Sequence, residues 1–145
     1  MSDNVWSSAL AIATAFATLG LSVGCNESAT IAPFTGTVTY NGKPLEFGSV
    51  TFQPAAGGAI ARAQIQPDGT FELTTDGRTG APIGMNNVRV TCFANQKPGA
   101  AQAGDGEASL GKALIPERYS RFSSSGLTIE VKAGENPPYE IELSD

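Results

Sequence analysis

The chain has no histidine among its 145 residues. That absence removes the commonest general base, the Ser-His and Cys-His nucleophile pairs, and the leading zinc and copper ligand. Its one tryptophan, Trp6, sits in an apolar run near the start, so the rest of the chain has no indole to stack on a sugar ring. Cysteine is scarce: only Cys25 and Cys92 occur. Basic residues are also few, with nine Lys and Arg against fourteen Asp and Glu, a net charge of −5, and Lys43 the first of them. An acidic chain without a basic patch argues against nucleic acid as a partner and against electrostatic attraction to anionic lipid. Beyond Cys25 no stretch shows a 3.6-residue apolar period, so amphipathic helices are not expected.

What is present begins with an alanine-rich apolar run over residues 5–24, closed by Cys25 and followed at once by the polar Asn26, Glu27 and Ser28. A short polar start, an apolar stretch and the small Gly24 before a cysteine read as a targeting segment over residues 1–24. Leu21, Ser22, Val23, Gly24 and Cys25 resemble a bacterial lipobox. The resemblance implies that Cys25 is acylated and that buried acyl CH₂ groups, at about 0.8 kcal/mol each, hold the protein on a membrane. Two alternatives stay open: an uncleaved anchor helix, since residues 5–24 approach the ~20 apolar residues that cross a bilayer, and simple secretion. All three routes export the domain, to the face of a cell or outer membrane that meets the periplasm or exterior. Removing residues 1–24 leaves 121 residues, enough for one domain, and takes away only the charge of Asp3. On this reading Cys92 has no disulfide partner and is a buried thiol; a Cys25–Cys92 bridge is the rival if the signal is misread.

Residues 25–33 read as a short tether and residues 34–145 as the folded domain. Val38 and Tyr40 alternate with Thr37 and Thr39, and Asn41-Gly42 then marks a tight reversal, because both residues tolerate positive φ. Val50 and Phe52 form the apolar side of the next strand, which Pro54 ends. Pro67, Asp68 and Gly69 turn the chain between strands at 61–65 and 70–75, with Phe71 and Leu73 inward. Residues 76–87 read as a loop, and residues 88–94 as a central strand with Val88, Val90 and Cys92 on one face. Residues 95–126 lack alternation; the second half carries Leu110, Leu114, Ile115, Tyr119 and Phe122, enough apolar mass to pack onto the body. Leu127, Ile129 and Val131, then Ile141 and Leu143, mark two final strands. About seven short strands separated by Gly, Asn, Asp and Pro turns indicate an all-β, antiparallel sandwich.

The segments GTVTYNGKPLEFGSVTF, ARAQIQPDGTFEL and GAPIGMNNVRVT together resemble a carboxypeptidase regulatory-like domain of transthyretin-like type. The matching places are Asn41, Gly42, Pro44 and Leu45; Asp68, Gly69 and Phe71; and Pro82, Gly84, Val88 and Val90. This likeness implies a Greek-key β-sandwich, and it carries over no catalytic or zinc-binding residue, because those belong to a peptidase domain. The tail LIPERYSRFSSSGLTIEVKAGENPPYEIEL is similar to small predicted lipoproteins of planctomycete-type bacteria, for which no activity is implied.

Candidate chemistry is sparse. Glu140 and Glu142 fall on one solvent side of a strand, and Asp105 and Glu107 lie in a loose loop, so neither pair reads as an acid-base couple. Asp68, Asp76 and Asp105 each precede Gly, but none belongs to a DxDxDG run, so turn formation is preferred to calcium binding. The serines at 123–125 have no base to activate them. Only IPERYSRF stands out: Arg118, Tyr119, Arg121 and Phe122 are residue types favoured at interfaces, although the aromatics serve equally well as anchors of a long loop. The expectation is a non-enzymatic lipoprotein anchored by lipid at Cys25 that acts as a structural or protein-interaction module of the cell envelope, with no metal or cofactor. Its alternative is a carbohydrate-binding sandwich for an envelope polysaccharide.

Overall fold

The computed structural model describes residues 30–99 and 111–145. In chain order its strands are β1 (Ile31–Ala32), β2 (Thr35–Tyr40), β3 (Lys43–Pro44), β4 (Ser49–Pro54), β5 (Ala61–Gln64), β6 (Thr70–Glu72), β7 (Thr74–Thr75), β8 (Arg78–Thr79), β9 (Ala81–Pro82), β10 (Gly84–Thr91), β11 (Leu127–Val131) and β12 (Tyr139–Leu143). Helical structure among the described residues is limited to 3₁₀ turns at Ala94–Gln96 and Glu117–Ser120. The protein is all-β and sandwich-like.

The first sheet runs β11-β10-β4-β5-β7-β8, and the second runs β12-β2-β3 with β6 also on β2. The apolar alternation of each strand dictates the closure. Val50, Phe52, Val88 and Val90 from the first sheet, and Val38, Phe71, Ile141 and Leu143 from the second, are all buried. Phe52 bridges the layers edge-on, 5.3 Å from the Phe34 ring and 6.5 Å from that of Phe71. Such aromatic pairs add stabilisation beyond the area they bury. Gly36 shows how close the packing is: a Cβ there would lie 2.6 Å from the Phe71 ring and 2.2 Å from the Tyr139 carbonyl oxygen.

Seven strands of three or more residues correspond to those expected from alternation, and five strands of two residues add to them. Three expectations are corrected. Residues 76–87 are not one loop: Asp76 and Gly77 take φ of 48° and 77° and close a β7–β8 hairpin, and β10 begins at Gly84 rather than at residue 88. The run at 70–75 is not one strand either, because β6 pairs with β2 and β7 pairs with β5, so this segment crosses between sheets. The sheets are not wholly antiparallel, since β12 lies parallel to β2, with Ile141 opposite Val38. That pairing joins segments about a hundred residues apart and needs no hairpin, so local turn chemistry does not set its direction.

The Asn41-Gly42 reversal forms as expected, with φ of 49° and 77°. Strand β10 is an interior strand between β4 and β11, and it buries Val88 and Val90, with Cys92 just beyond it. Leu127 and Ile129 are only half-buried because β11 is a sheet edge. The targeting segment at 1–24, Cys25 and the tether up to residue 29, and Asp105, Glu107 and Leu110, lie outside the described residues.

Candidate functional site

The segment from Gly111 to Gly126 carries the four residues singled out as a possible interaction surface. Lys112–Leu114 first runs beside the end of β10, where the Ala94 amide donates to the Lys112 carbonyl at 3.0 Å and the Leu114 amide to the Cys92 carbonyl at 2.8 Å. Pro116, with φ of −54°, then starts a 3₁₀ turn in which the Tyr119 amide donates to the Pro116 carbonyl at 3.1 Å. At its far end Ser125 is buried, and its hydroxyl donates to the Val88 carbonyl at 2.6 Å.

Tyr119 is the pivot, 6% exposed. Its hydroxyl donates to the Ser144 carbonyl and accepts from the Ser144 amide, each at 3.2 Å, which ties the segment to the end of β12. The Ser144 amide, followed by the Arg118 guanidinium, holds the Tyr119 hydroxyl pKa below its ordinary value. Arg118 lies over the Tyr119 ring at 4.5 Å and donates to the Tyr119 hydroxyl at 2.9 Å and to the Ser144 carbonyl. Arg121 is exposed and pairs with Glu117 one turn away. Phe122 is half-buried, with the Arg89 guanidinium 4.9 Å from its ring centre. The four residues therefore do not converge: Arg118 and Tyr119 serve the β12 end, Phe122 meets β10, and Arg121 faces solvent. Of the apolar residues expected to pack here, Ile115 is buried, whereas Leu114 is 42% exposed.

A second polar cluster adjoins the first. The parallel register sets Leu143 opposite Tyr40, and the chain beyond it meets the Asn41 turn. The Tyr40 hydroxyl donates to one oxygen of Asp145, and the Asn41 side-chain amide donates to the other at 2.9 Å. These bonds, led by that from Tyr40, lower the Asp145 pKa, while the Tyr40 pKa rises in return. Local sequence carries no signal for this contact, because only the β2–β12 pairing creates it.

The remaining candidates are distributed over the surface. Glu140 and Glu142 are exposed on β12. Asp68 accepts from the Thr70 hydroxyl at 2.6 Å and from the Thr70 amide at 3.0 Å, which lowers its pKa and stabilises the turn. Asp76 sits in the β7–β8 turn. Among the described residues no three Cys, Asp or Glu side chains gather to hold a metal ion. Cys92 carries a free thiol, and burial pushes its pKa up to about 11, so it remains protonated and poorly nucleophilic near neutrality. A groove of about 670 Å³ crosses β2 and β6, lined by Thr35, Thr37, Gln64, Gln66, Thr70 and Glu72 among others. Its hydroxyl and amide side chains can hydrogen-bond a polar ligand, and Phe71, at 2% exposure, offers it little stacking surface.

Comparison with protein-family models, with curated proteins and with solved structures finds no significant match to this chain.

Proposed function

We propose that this chain is a non-enzymatic exported lipoprotein, anchored through acylated Cys25, whose β-sandwich is a structural or protein-interaction module of the cell envelope. The sandwich is read as a Greek key of the carboxypeptidase regulatory-like, transthyretin-like type. One observation carries the reading: β1 starts at Ile31, six residues after the lipobox-like cysteine, so an acyl chain at Cys25 would hold a self-contained β body close to a membrane. The chemistry described above also supports it, since the carboxylates engaged in the structure serve turns and strand ends, and the thiol is buried. Intact-mass analysis of the membrane fraction tests the proposal. The expected species has lost residues 1–24 and gained acyl mass at Cys25, and Cys25→Ser moves the protein to the soluble fraction. A full-length, unmodified chain in the soluble fraction would overturn it.

A carbohydrate-binding module is the second reading. It is favoured by the number of Thr, Gln and Asn side chains on the outward strand positions and in the groove across β2 and β6. Saturable binding to an envelope polysaccharide would select it over a purely structural role.

A further inference from the structure

The outward positions of the first sheet hold two arginines in register. Strand β4 places Thr51 opposite Arg89 of β10 on one side and opposite Arg62 of β5 on the other. Two interstrand steps separate the arginines, roughly 10 Å at the usual strand spacing. Thr51 alternates with the inward Val50 and Phe52, so it faces out, yet it is only 5% exposed. A short side chain flanked by two long ones accounts for that burial. Arg62 is exposed, and Arg89 is half-buried with its guanidinium over Phe122. Neither has an acidic partner among the described residues.

That lack is notable in a chain of net charge −5. The register neighbours of the row are neutral: Thr74 lies beyond Arg62, Gln64 pairs with Ser49, and Gln53 pairs with Asn87. Among the described outward strand positions of this sheet the acid is Glu130, which stands opposite Met85 at the edge strand, two outward positions along β10 from Arg89. The second sheet shows the opposite charge, with Glu72, Glu140 and Glu142 exposed on β6 and β12.

We propose that the Arg62–Thr51–Arg89 row binds an acidic polysaccharide, each guanidinium taking a carboxylate of a uronate-type sugar. A guanidinium matches a carboxylate through two parallel N–H donors, and such charge-assisted bonds are the strong ones. Ser49, Gln53, Gln64 and Asn87 around the row supply donors and acceptors for sugar hydroxyls. The row is open at exposed Arg62 and bordered by Phe122 at Arg89. An anionic bilayer is the poorer fit, because Met85 is the one large hydrophobic exposed on this face among the described residues, which leaves little to insert among lipids. The inference rests on the carbohydrate reading given above and does not depend on lipidation.

Titration calorimetry of the full chain against polygalacturonate, neutral dextran and phosphatidylglycerol vesicles tests it. Binding to polygalacturonate alone is expected, weakened about tenfold or more by Arg62→Gln and abolished by ~0.5 M salt. Arg62 is exposed, so an unchanged melting temperature verifies that Arg62→Gln is folded; Arg62→Lys retains part of the affinity. Polygalacturonate binding indifferent to Arg62→Gln, or vesicle binding without polygalacturonate binding, overturns the proposal. Dextran binding that ignores Arg62→Gln removes this site and leaves the carbohydrate reading standing, whereas no binding to either polymer counts against both.

Discussion

Two regions of the molecule are held in different ways. Strands β4 and β10 lie side by side in the first sheet and bury Val50, Phe52, Val88 and Val90 completely. The segment 111–126 joins the same body through separate points: backbone bonds of Lys112 and Leu114 beside the end of β10, the buried Ile115 and Tyr119, the bonds of Arg118 and Tyr119 to Ser144, Phe122 beside Arg89, and the Ser125 hydroxyl. Apolar burial at about 25 cal/mol per Å² accumulates over a whole face. A hydrogen bond contributes about 1 kcal/mol net, and each can be lost on its own. The strand pair and the segment should therefore respond differently to substitution, and the segment should open without the sandwich unfolding.

The largest effect is expected at Phe52, where both sheets meet. Phe52→Ala removes the ring that contacts Phe34 and Phe71 and should destabilise the fold by about 3–5 kcal/mol in denaturant unfolding. A loss below about 1 kcal/mol would mean that the two layers do not share one core.

Tyr119→Phe should cost less, about 1 kcal/mol, because it deletes one hydroxyl and leaves the ring in place. Limited proteolysis should then cut within 111–126 sooner, while the melting curve of the sheets moves only slightly. If the whole protein melts early instead, the segment is part of the core rather than pinned to it.

The smallest effect is on pH dependence. The hydrogen bonds from Tyr40 and Asn41 depress the Asp145 pKa in the folded state, so their contribution is present above the ordinary carboxylate value and is lost as pH falls through the lowered one. Acidification should loosen the C-terminal end from the Asn41 turn, seen as faster exchange of the Asn41 amide, which bonds the Leu143 carbonyl at 2.9 Å. Asp145→Asn should remove that pH dependence, and a dependence that survives the substitution would assign it to another group.

This contrast also explains what the amino-acid order reveals. Alternation with period two exposes which side chains are buried, so the seven longer strands, the Asn41-Gly42 turn and the buried row Val88, Val90, Cys92 are all legible. Alternation does not say which strand neighbours which. The parallel β2–β12 pair, the passage of residues 70–75 from one sheet to the other, and the meeting of Tyr40 with Asp145 all follow from non-local pairing. The same applies to Arg62 and Arg89, which become neighbours only through the β5-β4-β10 order. The β7–β8 hairpin is a different omission: Asp76-Gly77 has the same turn chemistry as Asn41-Gly42, but its strands of two residues are too short to show a period. In IPERYSRF the composition signals contact, and in the structure Tyr119 makes that contact within its own chain.

Native-state hydrogen exchange compares the two regions in one experiment. The amides of Thr51 and Arg89, paired across β4 and β10, and of Phe52, paired with β5, should exchange only through global unfolding, while those of Leu114, Tyr119 and Ser125, bonded to Cys92, Pro116 and Arg121, should exchange at a distinctly lower free energy with little denaturant dependence. Equal protection across both sets, with the same denaturant dependence, would contradict the account.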